Sequence, residues 1–192
     1  MNRRHLLATV AGASALPLAG CLGSNDLDWK RLPNEDGAAL TFFDNGERTA
    51  TVSATERHFD PENGRFGLWL NIWHREGTHL DSFRYEILAP STPNGPRVVV
   101  SLDRPEASPW PEMTFGRGAQ AERTIIDVPE VGPVGRGSLG IELRLQADRM
   151  PEALPVRIRT QFSLSHENRL FKTSTGEGFL ELELPRNPNA QS

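Results

Sequence analysis

The sequence predicts an all-β fold, an antiparallel β-sandwich of about nine strands, on three observations. Several segments alternate strictly between apolar and polar residues. Gly, Asn and Pro recur at short intervals between those segments. No stretch of ten or more residues carries a 3.6-residue apolar period. Side chains on a strand point alternately to its two faces, so strict alternation means that each strand buries one side. Many short strands separated by turn chemistry build a sandwich. The Cys…Trp…Cys signature of antibody domains is absent, so an immunoglobulin-like arrangement is expected from strand count alone.

The elements follow in order. Residues 21–37 open with Cys21 and continue as LGSNDLDWKRLPNEDG, which is polar and rich in Gly, Pro, Asn and Asp. They read as a short tether, with the β-sandwich domain spanning 38–185. AALTFF (38–43) and ERTATVSAT (47–55) flank Asp44-Asn45-Gly46, a strong hairpin signal. Asn63-Gly64 turns into RFGLWLNIWH (65–74), and HLDSFRYEILA (79–89) follows. Asn94-Gly95-Pro96 leads to RVVVSLD (97–103). Residues 104–120 are a Pro-rich loop holding Trp110. AERTIIDV (121–128), SLGIELRLQA (138–147), PVRIRTQFSLSH (155–166) and GFLELEL (178–184) complete the set. Residues 186–192 read as a disordered tail.

Within the last three strands, Leu139, Ile141, Leu143 and Leu145 oppose Glu142, Arg144 and Gln146. Val156, Ile158, Phe162 and Leu164 oppose Arg157, Arg159 and Gln161. Leu180, Leu182 and Leu184 oppose Glu181 and Glu183.

The chain of 192 residues is long enough for one domain beyond a leader. No apolar run is long enough for a conventional transmembrane helix. Beyond the leader there are 25 acidic and 19 basic residues, a net of −6. An acidic balance argues against nucleic acid as a partner. Only Lys30 and Lys172 are lysines, and Cys21 is the one cysteine. A single cysteine makes no internal disulfide, so the domain relies on its core.

Residues 1–20 have the layout of an export signal: the positive MNRRH, a short apolar stretch, then LAG before Cys21. Arg3-Arg4 followed by His5-Leu6-Leu7 resembles a twin-arginine signal. His5-Leu6 departs from the commoner pattern, so the general secretory route stays open. Leu18-Ala19-Gly20-Cys21 resembles a lipobox, in which cleavage before the cysteine frees a thiol that carries lipid as a thioether. With the scarcity of lysine, these features resemble the exported lipoproteins of halophilic archaea, over about the first 23 residues. The resemblance implies a covalent lipid on Cys21; no other cofactor is expected, since the sequence carries no convincing cofactor motif. It also implies a location on the outer face of the cytoplasmic membrane, facing the cell surface.

Candidate chemistry is sparse. GRGSLG (135–140) has the dinucleotide-binding spacing, but a strand pattern follows it where a helix is needed, and no acid stands about 20 residues on. His74 and His79 bracket a short loop and, with His58, form a candidate metal set. Trp69, Asn71 and Trp73 share one face of a strand whose other face holds Phe66, Leu68, Leu70 and Ile72. The tryptophan row is either a ligand platform or a surface covered by the Pro-rich loop and Trp110. Glu181 and Glu183 have basic neighbours and read as part of a solvated ion-pair face. No nucleophile elbow, P-loop, H-E-x-x-H helix or EF-hand loop occurs.

The expectation is a lipid-anchored, non-catalytic binding or accessory module. It is anchored to the membrane and its partner is a cell-surface or transport protein. A metal-binding lipoprotein is the alternative, and a surface hydrolase the third.

Overall fold

The computed structural model describes residues 24–34, 37–90, 95–105, 111–118, 123–167 and 172–185. Within them lie twelve strands. They are β1 (Ser24–Asp26), β2 (Asp28–Asn34), β3 (Gly37–Asp44), β4 (Glu47–Asp60), β5 (Arg65–His74) and β6 (Thr78–Leu88). Then come β7 (Val98–Pro105), β8 (Thr114–Arg117), β9 (Arg123–Val128), β10 (Ser138–Ala147), β11 (Leu154–His166) and β12 (Thr173–Leu184). A short 3-10 turn, Gly132–Val134, precedes β10. No helix among the described residues is long and apolar enough to cross a membrane.

The strands form two six-stranded sheets. Sheet A runs β1-β12-β11-β6-β9-β8 and sheet B runs β2-β3-β4-β5-β10-β7. Every pairing is antiparallel except β1 with β12. The fold is therefore the antiparallel β-sandwich that the alternation predicts. It shares the two-sheet architecture of immunoglobulin domains, which have about seven to nine strands. The alternating apolar sets of β5, β10 and β11 are buried between the sheets, with Leu68, Leu70, Leu143, Leu145, Ile158 and Leu164 fully inaccessible. Across the layers Phe42 of β3 meets Phe162 of β11 edge to face, with centroids 4.9 Å apart. The β3–β4 hairpin closes on Asn45 and Gly46, both at positive φ (53° and 83°), which is why Asn-Gly stands there.

Two expectations need correction. Residues 21–37 are not a tether over their described part: Ser24–Asn34 is strand. The chain pairs with β12 of sheet A through β1, crosses at Leu27, and joins sheet B as β2. Leu27 is 6% exposed in the core, and its amide donates to the Thr175 carbonyl at 2.8 Å. Arg31 of β2 reaches back to Glu181 of β12 at 3.0 Å. The first described segment thus stitches the two sheets along one side, and the domain begins before residue 38. Secondly, residues 114–117 of the Pro-rich segment form β8 at the edge of sheet A. The strand count rises from nine to twelve because all three additions are edge strands. Edge strands bury little and tolerate polar residues and proline.

One end of the sandwich carries an ion pair. Lys172 Nζ lies 2.5 Å from Asp44 Oδ2, and both side chains are nearly buried. Hydrogen bonding to Lys172 holds the Asp44 carboxyl below the usual range, against the opposing effect of burial. Residues 1–23 and 186–192, including Arg3, Arg4, Cys21 and the expected tail, lie outside the described residues.

Candidate binding face

Strand β5 alternates without a break. Phe66, Leu68, Leu70, Ile72 and His74 are buried, while Trp69, Asn71 and Trp73 face outward and are half-buried. The tryptophans are four residues apart on the outer face of sheet B, about 13 Å along the strand.

Their partial burial has a local cause. Gly140 of β10 lies opposite Asn71, and a Cβ built there would stand 2.1 Å from Cζ2 of Trp69. The indole therefore lies across the backbone of β10, over a position that only glycine leaves free. Arg57 caps this ring, with its guanidinium carbon 5.3 Å from the centroid. At the other end Arg48 sits 4.5 Å over Trp73. Arg48 also faces Phe43 across the β3–β4 pair, and Lys30 of β2 lies 5.6 Å over Phe43. A row of cation, ring, cation and ring thus crosses four strands.

Polar groups fill the space between the tryptophans. Arg48 Nε donates to Thr51 Oγ1 at 3.1 Å, and that oxygen lies 3.3 Å from Thr41 Oγ1. Ser138 Oγ donates to Asn71 Oδ1 at 2.7 Å. Lys30, Arg48 and Arg57 make no ion pair among the described residues, although Asp28 and Glu142 share their face.

The outer face of sheet A is built differently. Arg157 and Arg31 share Glu181, and Arg159 meets Glu177 at 2.6 Å. Arg84 and Arg123 share Glu86, and Arg84 also approaches Asp127 at 3.8 Å. This is the solvated ion-pair lattice expected of Glu181, and it extends across four strands. A groove of about 750 Å³ crosses the same face from Asp26 to Pro129, with the half-exposed Trp29 in its wall. It lies where β6 and β11 slip register at Ser163/Leu164, and such a bulge bends a sheet. Its polar lining is already self-satisfied: Ser82 with Ser163, Gln161 with Glu177, and Thr175 with Asp26. Ligand groups entering there must displace existing bonds. On sheet B Arg144 is likewise paired, with Asp103 at 2.6 Å, whereas Lys30, Arg48 and Arg57 have no ion pair among the described residues to give up.

A family profile, Domain of unknown function (DUF8121), matches residues 25–186. The chain belongs to the DUF8121 family. The match begins at β1, in line with the structure and ahead of the boundary expected at residue 38. No curated protein matches the sequence. Among solved structures, the chain is similar to the collagen-binding domain of a Staphylococcus aureus adhesin. The identity is 8% and the TM-score 0.41, covering 66% of this chain and 97% of that one. It is also similar to the GAE domain of GGA2p from Saccharomyces cerevisiae, at 8% identity and TM-score 0.40, covering 83% and 100%. A Streptococcus parasanguinis Fap1 fimbrial structure matches at 7% identity and TM-score 0.37, covering 86% and 91%. At these identities and scores the resemblance is one of architecture and carries no assignment of function.

In this DUF8121 domain the candidate metal set does not converge. His58 pairs with Gly67 of β5, and His74 lies seven residues further along that strand, about 23 Å away. His74 points into the core, 2% exposed, with Nδ1 2.8 Å from Thr78 Oγ1. Burial lowers its pKa. His79 instead contacts Asp81, Nδ1 to Oδ1 at 3.3 Å. No group of three His, Cys, Asp or Glu residues fit to hold a metal occurs among the described residues. Strand length carries His58 away, and His74 and His79, although neighbours across one loop, turn to Thr78 and Asp81 respectively.

Ser165 Oγ also donates to Asp81 Oδ1, at 2.8 Å. Ser165 and His79 thus meet on the carboxylate rather than on each other. A serine and a histidine do touch at Ser174, whose Oγ lies 2.9 Å from His166 Nε2, but Ser174 is fully buried and offers no hydroxyl to a substrate. GRGSLG places Gly135 and Gly137 before β10 and Gly140 inside it, so a strand follows the glycines. Trp110, expected to cover the tryptophan row, lies outside the described residues. The reading from sequence missed Lys30, Arg48, Arg57 and Gly140. Only register brings Arg48, Arg57 and Gly140 to the tryptophans, and Lys30 to Phe43.

Proposed function

We propose that this DUF8121 chain is a non-catalytic binding module at the cell surface, anchored by lipid on Cys21, and that it binds through the outer face of sheet B. The anchor and the location rest on the leader sequence: paired arginines, a short apolar stretch and LAG before Cys21. The binding face rests on one observation above all. Lys30, Arg48 and Arg57 sit over aromatic rings without an ion-pair partner among the described residues, in a chain whose other face pairs most of its cations. A guanidinium held over a ring loses rotamer freedom in advance, and its outward N–H groups stay available. The preference for a binding role over hydrolysis rests on two arrangements: Ser165 and His79 share Asp81 without touching, and Ser174, the serine that His166 contacts, is fully buried.

Two measurements test this. Cys21→Ser should move the protein from the membrane fraction to the soluble fraction; a variant that stays membrane-bound sinks the anchor. The soluble Cys21→Ser protein should then co-sediment with cell envelopes. Adding Arg48→Gln and Arg57→Gln should abolish that, and adding Arg84→Gln and Arg159→Gln on sheet A should not. Equal binding by both variant sets refutes the choice of face.

A further inference from the structure

The geometry points to a linear acidic polysaccharide as the ligand of the sheet B face, with Arg48 and Arg57 each taking one carboxylate or sulfate group. This deepens the reading above and rests on it. Arg48 is fixed at three places: its strand position, the Trp73 ring at 4.5 Å, and Thr51 Oγ1 on Nε at 3.1 Å. That leaves its two terminal nitrogens as a fork, the arrangement that takes an oxyanion in a two-point contact. Arg57 lies likewise over Trp69, its guanidinium carbon 5.3 Å from the ring centroid.

The two rings that hold the arginines are four residues, about 13 Å, apart along β5. The gap between them is surfaced by Thr51, Ser53, Asn71 and Ser138, all short hydroxyl or amide groups on the outward side. Such groups match the ring hydroxyls of sugars, with acid groups separated by one or two uncharged units. The half-buried tryptophan edges add apolar contact for sugar C–H faces.

The mature chain is net negative, which disfavours densely charged polyanions such as nucleic acid. A sparse polyanion meets the cations of this face without spreading over the acidic remainder. An anionic membrane would call for apolar side chains projecting outward. Here both indoles lie half-buried, Trp69 across Gly140 and Trp73 beneath Arg48.

The test uses full-length Cys21→Ser protein titrated calorimetrically with polygalacturonate, dextran sulfate and uncharged dextran, and sedimented with phosphatidylglycerol vesicles. Binding to one or both polyanions and not to dextran is expected. Polygalacturonate alone would identify carboxylate as the group read, and dextran sulfate alone sulfate. Arg48→Gln with Arg57→Gln should weaken polyanion binding about ten-fold or more, since each contact removed is a charge-assisted pair. Arg48→Lys with Arg57→Lys keeps the charge and the fold but removes the fork, and should recover only part of the loss. Full recovery by lysine overturns the two-point contact. Equal binding to dextran, or binding to vesicles alone, overturns the ligand class. Absence of polyanion binding while envelope binding still depends on Arg48 and Arg57 overturns the ligand class too, and leaves the choice of face standing.

Discussion

Replacing Gly140 with alanine puts a methyl carbon where the Trp69 indole lies. The added Cβ would stand 2.1 Å from Cζ2 and 2.7 Å from both Cε2 and Cη2. Carbon atoms in contact sit at about 3.5–4.0 Å, so the ring has to retreat by roughly 1.5 Å. It has no room to sink, because β10 backbone lies beneath it. The ring must therefore tilt outward, uncover β10, and leave its place under Arg57. Overpacking of this kind costs about 1–3 kcal/mol. For a domain of this size that lowers Tm by about 2–4 °C per kcal/mol.

A double-mutant cycle isolates the cause. In a Trp69→Ala background the clash is gone, and alanine is favoured over glycine inside a strand by about 0.5–1 kcal/mol. Gly140→Ala should therefore destabilise the wild type and stabilise the Trp69→Ala protein, giving a coupling energy of about 2 kcal/mol in urea denaturation. An equal effect in both backgrounds would refute the packing of Trp69 over Gly140. The same variant should also weaken binding through sheet B, because Arg57 loses its support.

The remaining predictions concern the core and the first strands. Leu27→Ala should cost about 2–3 kcal/mol in urea denaturation, since Leu27 is 6% exposed where the chain crosses between sheets; a flexible tether would show no change. Tyr85→Phe should leave stability unchanged or raise it by about 1 kcal/mol. The Tyr85 hydroxyl is fully buried with no hydrogen-bond partner among the described residues, and burial raises its pKa well above the ordinary tyrosine value. A loss greater than that would mean the hydroxyl is satisfied through a bridging water. His74 is held neutral by burial, so the unfolded chain takes up its proton first as pH falls. Stability should therefore decline as pH drops below about 6.5, and His74→Gln should flatten that part of the pH–stability curve. An unchanged slope would refute the burial effect.

What the sequence disclosed and what it hid follow from one distinction. Alternation reports burial on one face, so it located β3–β7 and β9–β12, including β5 and β10 with the observed ends. Turn chemistry is equally local, and Asn45-Gly46 sits where its conformation requires. Edge strands carry neither signal. β2 is polar and contains Pro33, and β8 is four residues long. Leu27 and Trp29, two positions apart in a polar run, were the one signal there that could have marked the crossing between sheets. The binding face lay deeper, because it depends on pairs that register alone creates. Arg48 is 25 residues from Trp73, Arg57 is 12 from Trp69, and Gly140 is 71 from the ring it underlies. The tryptophans could be read as a row, but whether they stood exposed or covered turned on a glycine and two arginines brought beside them by β4 and β10. Had an isoleucine stood at position 140, the same Trp-Asn-Trp pattern would face solvent edge-on, and its arginine would have no flat ring to rest on.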